Sequence, residues 1–238
     1  MGLFGRENGS IFLTPADRRE ATLKKLKKQK IAVNEHLPLL PTCEEVRLKS
    51  LEEVKKRASG SFLCAMLACS IAQNENYQDS VEFVLSKMYE WDLYQDDLLP
   101  KEQTLIWNRH TKKGNEADIL RQNVIDVAWS YETCYALLWS LELLVDREFG
   151  NATRRCDVKV AMFSSSLIND PSTKLRSVDR ILSMLDLYYC YHWACVEKQI
   201  RPETPVGKLN PEVVLERRRG LEWLISEERD WNEVSLDT

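Results

Sequence analysis

The sequence predicts an all-α protein, a compact multi-helix bundle of roughly eight to ten helices with no significant β-sheet. Three observations predict it. Glycine and proline number only eight each in 238 residues, where turn-rich β folds use more of both. Apolar residues recur at three- and four-residue spacing over long stretches, and no convincing alternating stretch is visible. Polar residues suited to capping stand where those stretches begin.

Residues 1–13 mix glycine, asparagine and scattered hydrophobics and read as a loosely ordered leader. A single helical domain is expected over 14–238. Thr14-Pro15 supplies an N-cap and a first-turn proline. Asp17 and Glu20 follow, and Lys24, Lys25, Lys27, Lys28 and Lys30 close the segment, an order that suits the helix dipole. Residues 31–41 carry Pro38 and Pro41 and read as an extended connector. Thr42 with Glu45 forms a capping box for a short helix, and Ser50 with Glu53 forms one for a helix to about Gln73. In that second helix Leu51, Val54, Ala58, Phe62, Ala65 and Cys69 recur at helical spacing.

Further helices are expected over 79–91 and 100–107, then a polar loop from His110 to Asn115. Helical patterning resumes near Glu116 and runs to about Val145, with a bend near Ala128. Residues 146–156 read as irregular, 157–167 as a weak helix, and Asp170-Pro171-Ser172 as a turn. A strong helix spans 177–200 and stops before Pro202. Asn210-Pro211-Glu212 opens the last helix, to about Ile225. The helices over 129–144, 177–200 and 211–225 are expected at the centre.

Composition narrows the function classes. A formal charge of −4 and an isoelectric point near 5.6 give no global attraction to nucleic acid or anionic lipid. The lysines of 24–30 lack interleaved aromatics and read as a solvated helix face. Seven cysteines, an odd number with no C-x-x-C pair, read as reduced thiols in a cytoplasmic protein. The first residues lack the apolar core of a signal peptide. Met1-Gly2 does not continue as a myristoylation site, because the sixth residue is Arg6. The longest apolar run, Phe62 to Ala72, is too short to span a bilayer.

Four segments carry a family resemblance. They are LNPEVVLERRRGLEWLISEERDWNEVSLDT (209–238), WSYETCYALLWSLELL (129–144), LRSVDRILSMLDLYYCYHWA (175–194), and EHLPLLP followed by Arg47-x-x-Ser50-x-x-Glu53. In combination they resemble the bacterial domain-of-unknown-function 4272 family over roughly 14–238. Typical members have Ala-Leu-Asn-Trp where this chain has Gly220-Leu221-Glu222-Trp223, and often His where it has Arg218. The resemblance implies a helical fold and attaches no activity.

The candidate functional residues are polar groups on apolar stripes. Glu132 shares a helical face with Tyr135, Trp139 and Leu143. Arg217 lies between Val214 and Leu221 and Leu224, and His192 lies among Leu182, Leu185, Tyr189 and Val196 with Asp186 beside it. A charge on a core-facing stripe must be paired, so a polar network or pocket is expected from Glu132, Arg176, Asp186, His192, Glu216 and Arg217 with Trp139, Trp193 and Trp223. Glu132 is expected to pair with Arg217. Glu132, Asp186, His192 and Arg217 are the candidates for catalysis, with none assigned. Most of the seven tryptophans are expected in the core, and some along a groove.

No metal or other cofactor is expected. His36, His110 and His192 are scattered, and Cys64–Cys69 and Cys190–Cys195 have the wrong spacing for a zinc site. Ser164-Ser165-Ser166 lacks a nucleophile elbow, and no glycine-rich phosphate loop occurs. The reading is therefore a non-enzymatic binding or interaction protein of accessory or immunity type, with a protein partner and no nucleic acid or membrane. The alternative is an enzyme acting on a small polar substrate through the Glu/Asp/His/Arg set.

Overall fold

The computed structural model describes residues 13–107 and 115–238. The expected leader, apart from Leu13, and the expected loop over 110–114 lie outside the described residues. Helix α1 (Pro15–Lys28) begins where Thr14 accepts the Asp17 N–H and Asp17 accepts the Thr14 N–H in return. Helix α2 (Leu51–Ala72) begins with the same reciprocal pair from Ser50 and Glu53. Each such cap contributes about 1 kcal/mol. The lysines Lys24, Lys25, Lys27, Lys28 and Lys30 are all exposed.

Thr42 donates its N–H and its hydroxyl to Glu45 Oε2 at 2.8 and 2.9 Å, one half of the expected capping box, and a turn follows where a short helix was expected. The chain beyond that turn is extended, and the Lys49 N–H bonds the Leu224 carbonyl at 2.9 Å. Helix α3 (Tyr77–Glu90) starts ahead of the expected Asp79 because Asn76 accepts the N–H groups of Gln78 and Asp79. Helix α4 (Pro100–Trp107) keeps the expected bounds.

Helix α5 (Asn115–Ser140) runs unbroken through Ala128 and stops before the expected Val145. Glu142 adopts φ +60°, which ends the helix. Arg176, from far along the chain, supplies the donors that its last turn and the following loop need: Nε to the Trp139 carbonyl and Nη2 to the Leu144 carbonyl, both at 2.7 Å. The stretch read as irregular contains a short helix, α6 (Asp146–Phe149). Helices α7 (Val158–Ser165), α8 (Val178–Ile200) and α9 (Pro211–Trp223) start at the side-chain caps Asp157, Ser177 and Asn210.

α5 is the axis of the packing. α2 lies along it on one side and α9 on another; α8 packs on α9 and α1 on α8, while α3 covers α2. The expected central helices are thus joined by α2. α9 approaches α5 closely at Gly220, where an added Cβ would stand 2.8 Å from both the Ala136 Cβ and the Thr133 carbonyl oxygen. Among the described residues there is no strand, only one antiparallel bridge between Ile31 and Val206, and no helix is long and apolar enough to cross a membrane.

Candidate functional site

Of the polar residues on the apolar stripes, Glu132, Asp186 and Arg217 are buried and His192 is half-buried, and each has a partner. Glu132, Asp186 and Arg217 are 2%, 1% and 1% exposed, which makes pairing obligatory. Arg217 Nε donates to Glu132 Oε2 at 2.8 Å. Its Nη1 donates to the carbonyls of Phe149 and Asn151 at 2.9 and 3.1 Å and lies 3.3 Å from the Tyr188 hydroxyl. The other Glu132 oxygen accepts the Cys156 N–H at 2.5 Å, and the Tyr188 hydroxyl donates to the Phe149 carbonyl at 2.5 Å. The guanidinium also faces the rings of Tyr135 and Phe149. One ion pair thereby ties the loop 149–156 to α5, α8 and α9. Burial first, and then the Glu132 carboxylate, push the Cys156 thiol well up.

Asp186 belongs to a second network. Arg19 of α1 donates Nη2 to Asp186 at 2.9 Å and binds the carbonyls of Leu37 and Pro38 at 2.9 Å each. This pair holds the 31–41 connector against α8. His192 belongs to a third. Arg218 Nη1 lies 2.7 Å from His192 Nδ1. Since Arg only donates, Nδ1 accepts and the imidazole is neutral, with its proton on Nε2. Burial, then the Arg218 charge, push the His192 pKa down to about 4. Arg218 also binds Glu222 at 3.1 Å and the carbonyls of Leu236 and Asp237 at 2.9 Å each, which anchors the C-terminal segment. The Tyr189 ring stands between the second and third networks, facing both Arg19 and Arg218.

Arg176 faces the Trp139 ring at 4.7 Å, and Trp139 Nε1 donates to Asp146 at 2.9 Å. Glu216 accepts the Thr133 hydroxyl at 2.9 Å, and burial raises its pKa. Trp223 is buried, donates to the Arg229 carbonyl and meets Trp231 edge to face. Trp193 is half-buried. Trp139, Trp223 and Trp231 are core; Trp91 and Trp129 are half-buried and Trp107 is 37% exposed.

Sequence reasoning missed several partners. Arg18, Arg19 and Arg57 are buried. Arg57 pairs with Glu102 at 2.5 Å, binds the Asp97 carbonyl at 3.0 Å and faces the Trp231 ring at 4.7 Å. Arg18 and Arg19 do not stand out in the sequence, because they lie among the charged residues of the first helix. Their signal is weak, because Leu26 is the one hydrophobic residue on the buried face of α1 that they share with Thr22.

The open spaces lie elsewhere. A cavity of about 580 Å³ runs between α2, α3 and α7, walled by Met66, Leu67, Phe83, Val84, Tyr131 and Met162. A second of about 290 Å³ lies between α2, α5 and the start of α7, walled by Ile125, Ala128, Trp129 and Arg155 among others. They share Cys69, Tyr131 and Val158 and form one trough. Glu132 lines the smaller cavity. Asp186, His192 and Arg217 line none of the described cavities. Among the described residues no group of three or more His, Cys, Asp or Glu side chains is placed to hold a metal. All seven cysteines are free; Cys64, Cys134, Cys190 and Cys195 are buried, and Cys43, Cys69 and Cys156 are half-buried.

Residues 18–234 match the family described as Domain of unknown function (DUF4272). No curated protein and no solved structure matches the chain.

Proposed function

We propose, from the premise that this chain belongs to the DUF4272 family, that it is a non-enzymatic protein-docking factor of accessory or immunity type, and that the trough between α2, α3, α5 and α7 is its docking site. One contrast carries the reading. The buried ion pairs are engaged in holding loops and helix ends, whereas the open trough is apolar. Its rim exposes large hydrophobics: Phe83 47%, Val158 46% and Met162 48%. Contiguous exposed apolar surface marks interaction sites. The Glu132–Arg217 pair would serve this role by fixing α5, one wall of the trough, and the loop that leads into α7.

The test compares the wild-type chain with Phe83→Glu/Met162→Glu as bait in its native host. A partner recovered only by wild type, and then titrated as a purified protein with the same dependence, supports the reading. Identical recoveries by both baits overturn it.

The alternative is an enzyme acting on a small polar substrate, and its support is the place of Glu132 at the smaller cavity. That reading requires a turnover abolished in Glu132→Gln with the fold retained.

A further inference from the structure

We infer, resting on the docking reading above, that the trough takes an amphipathic helical segment of a partner protein. Its apolar face fills the two cavities, a basic residue at one end meets Glu75 and Asp79, and an acidic residue at the other meets Arg155.

The walls decide the occupant's backbone. Along their middle turns α2, α3, α5 and α7 present only side chains, because the N–H and C=O groups there are bonded along each helix. No strand edge borders the trough among the described residues. An extended peptide would therefore bury unpaired N–H and C=O groups against apolar walls. A helix brings its backbone already bonded and lays an i, i+3, i+4, i+7 stripe into such a groove.

The rim decides its size. Phe83 on α3 faces the space from one side, and Val158 and Met162, one turn apart on α7, face it from the other. Ile125 of α5, 47% exposed, lines the smaller cavity. A small ligand within the cavities would leave the rim wet, whereas a helix about 10 Å across covers both walls.

The charges decide its ends. The larger cavity carries the carboxylates of Glu75 and Asp79 and no basic side chain. Glu75 takes only the Ser70 hydroxyl, at 2.5 Å, among its described side-chain contacts. The smaller cavity carries Arg155, whose guanidinium lies 4.0 Å from the Trp129 ring centre. Its one carboxylate, Glu132, is already bonded to Arg217 and the Cys156 N–H. A peptide acidic at both ends would meet repulsion at the larger cavity.

Two synthetic fluorescein-labelled helical peptides test this by anisotropy against the full chain. Both share a Leu-rich apolar stripe; one ends in Lys and Glu clusters, the other in Glu clusters at both ends. The mixed peptide is expected to bind about fivefold to tenfold tighter, the range that one or two exposed charge pairs supply. In Glu75→Lys/Asp79→Lys the preference inverts. Both changes lie on exposed side chains, so circular dichroism should match wild type. Met162→Glu should weaken both peptides at least tenfold. If Met162→Glu weakens both while wild type binds the two equally, the charge-matched helix is wrong and the docking trough stands. If Met162→Glu changes neither, the trough itself is wrong. Failure of both peptides to bind wild type also overturns the inference.

Discussion

Removing the charge of Glu132 tests the central network most directly. In Glu132→Gln the side chain keeps its shape, but Arg217, 1% exposed, loses its counter-ion. An uncompensated buried charge costs about 3–5 kcal/mol. At this chain length that is a fall in Tm of roughly 6–20 °C. Arg217→Met carries a similar cost, because it strands the Glu132 carboxylate and removes a donor from the Asn151 carbonyl; the Phe149 carbonyl keeps the Tyr188 hydroxyl at 2.5 Å. The double change Glu132→Gln/Arg217→Met removes both charges, and the amide oxygen still accepts the Cys156 N–H. What remains is the Asn151 carbonyl, which costs about 1–3 kcal/mol if left dry. The double variant is therefore expected to be more stable than the sum of the singles predicts, by at least about 1.5 kcal/mol. Urea unfolding followed by tryptophan fluorescence gives all three values. Additive costs, or single costs below about 1 kcal/mol, would refute the argument that this pair is held by mutual compensation.

Gly220→Ala places a Cβ 2.8 Å from Ala136 and from the Thr133 carbonyl oxygen, so α9 must move off α5, and a loss of about 1–3 kcal/mol is expected by chemical denaturation; a neutral result would mean the helices separate freely. Arg176→Ala leaves the carbonyls of Trp139 and Leu144 without that donor and is expected to cost about 1.5–3 kcal/mol, with faster amide exchange after Ser140. An NMR titration should place His192 near pKa 4, below the unfolded value of 6.5. Across that interval the unfolded chain binds the extra proton, so this group's contribution to stability is full above pH 6.5 and is lost as pH falls toward 4. His192→Gln should remove that slope, and a titration near 6.5 would refute burial beside the Arg218 charge as the cause. Ellman's reagent should leave Cys64, Cys134, Cys190 and Cys195 unreacted until the chain unfolds, because burial both shields them and raises their thiols.

Helix starts were readable because capping is local. Thr14, Ser50, Ser177 and Asn210 each bond an N–H within three residues, and no tertiary contact is needed to choose them. The Thr42–Glu45 pair shows the limit of that rule: Glu45 accepts from Thr42, but the chain closes only a turn before Lys49 donates its N–H to the Leu224 carbonyl. Helix ends were less readable: α5 stops at Ser140, with Arg176 binding carbonyls there, and that arginine lies on a different part of the chain.

The same division holds for the site residues. Periodicity alone shows that Glu132, Asp186, His192 and Arg217 stand on apolar stripes and must find partners. It cannot say which partners, because those depend on which helix faces cross in space. The fold joins Glu132 to Arg217, but gives Asp186 to Arg19 and His192 to Arg218, and so distributes one expected cluster over three networks. The trough was invisible for a related reason: its walls come from four helices, and an unpartnered apolar side chain has the same spacing as a buried one. The sequence by itself determined the long helices, the starts that carry local caps, and four residues that could not remain unpaired. Tertiary packing alone decided the pairings and the apolar face left open, because both depend on distances across helices that no local pattern encodes.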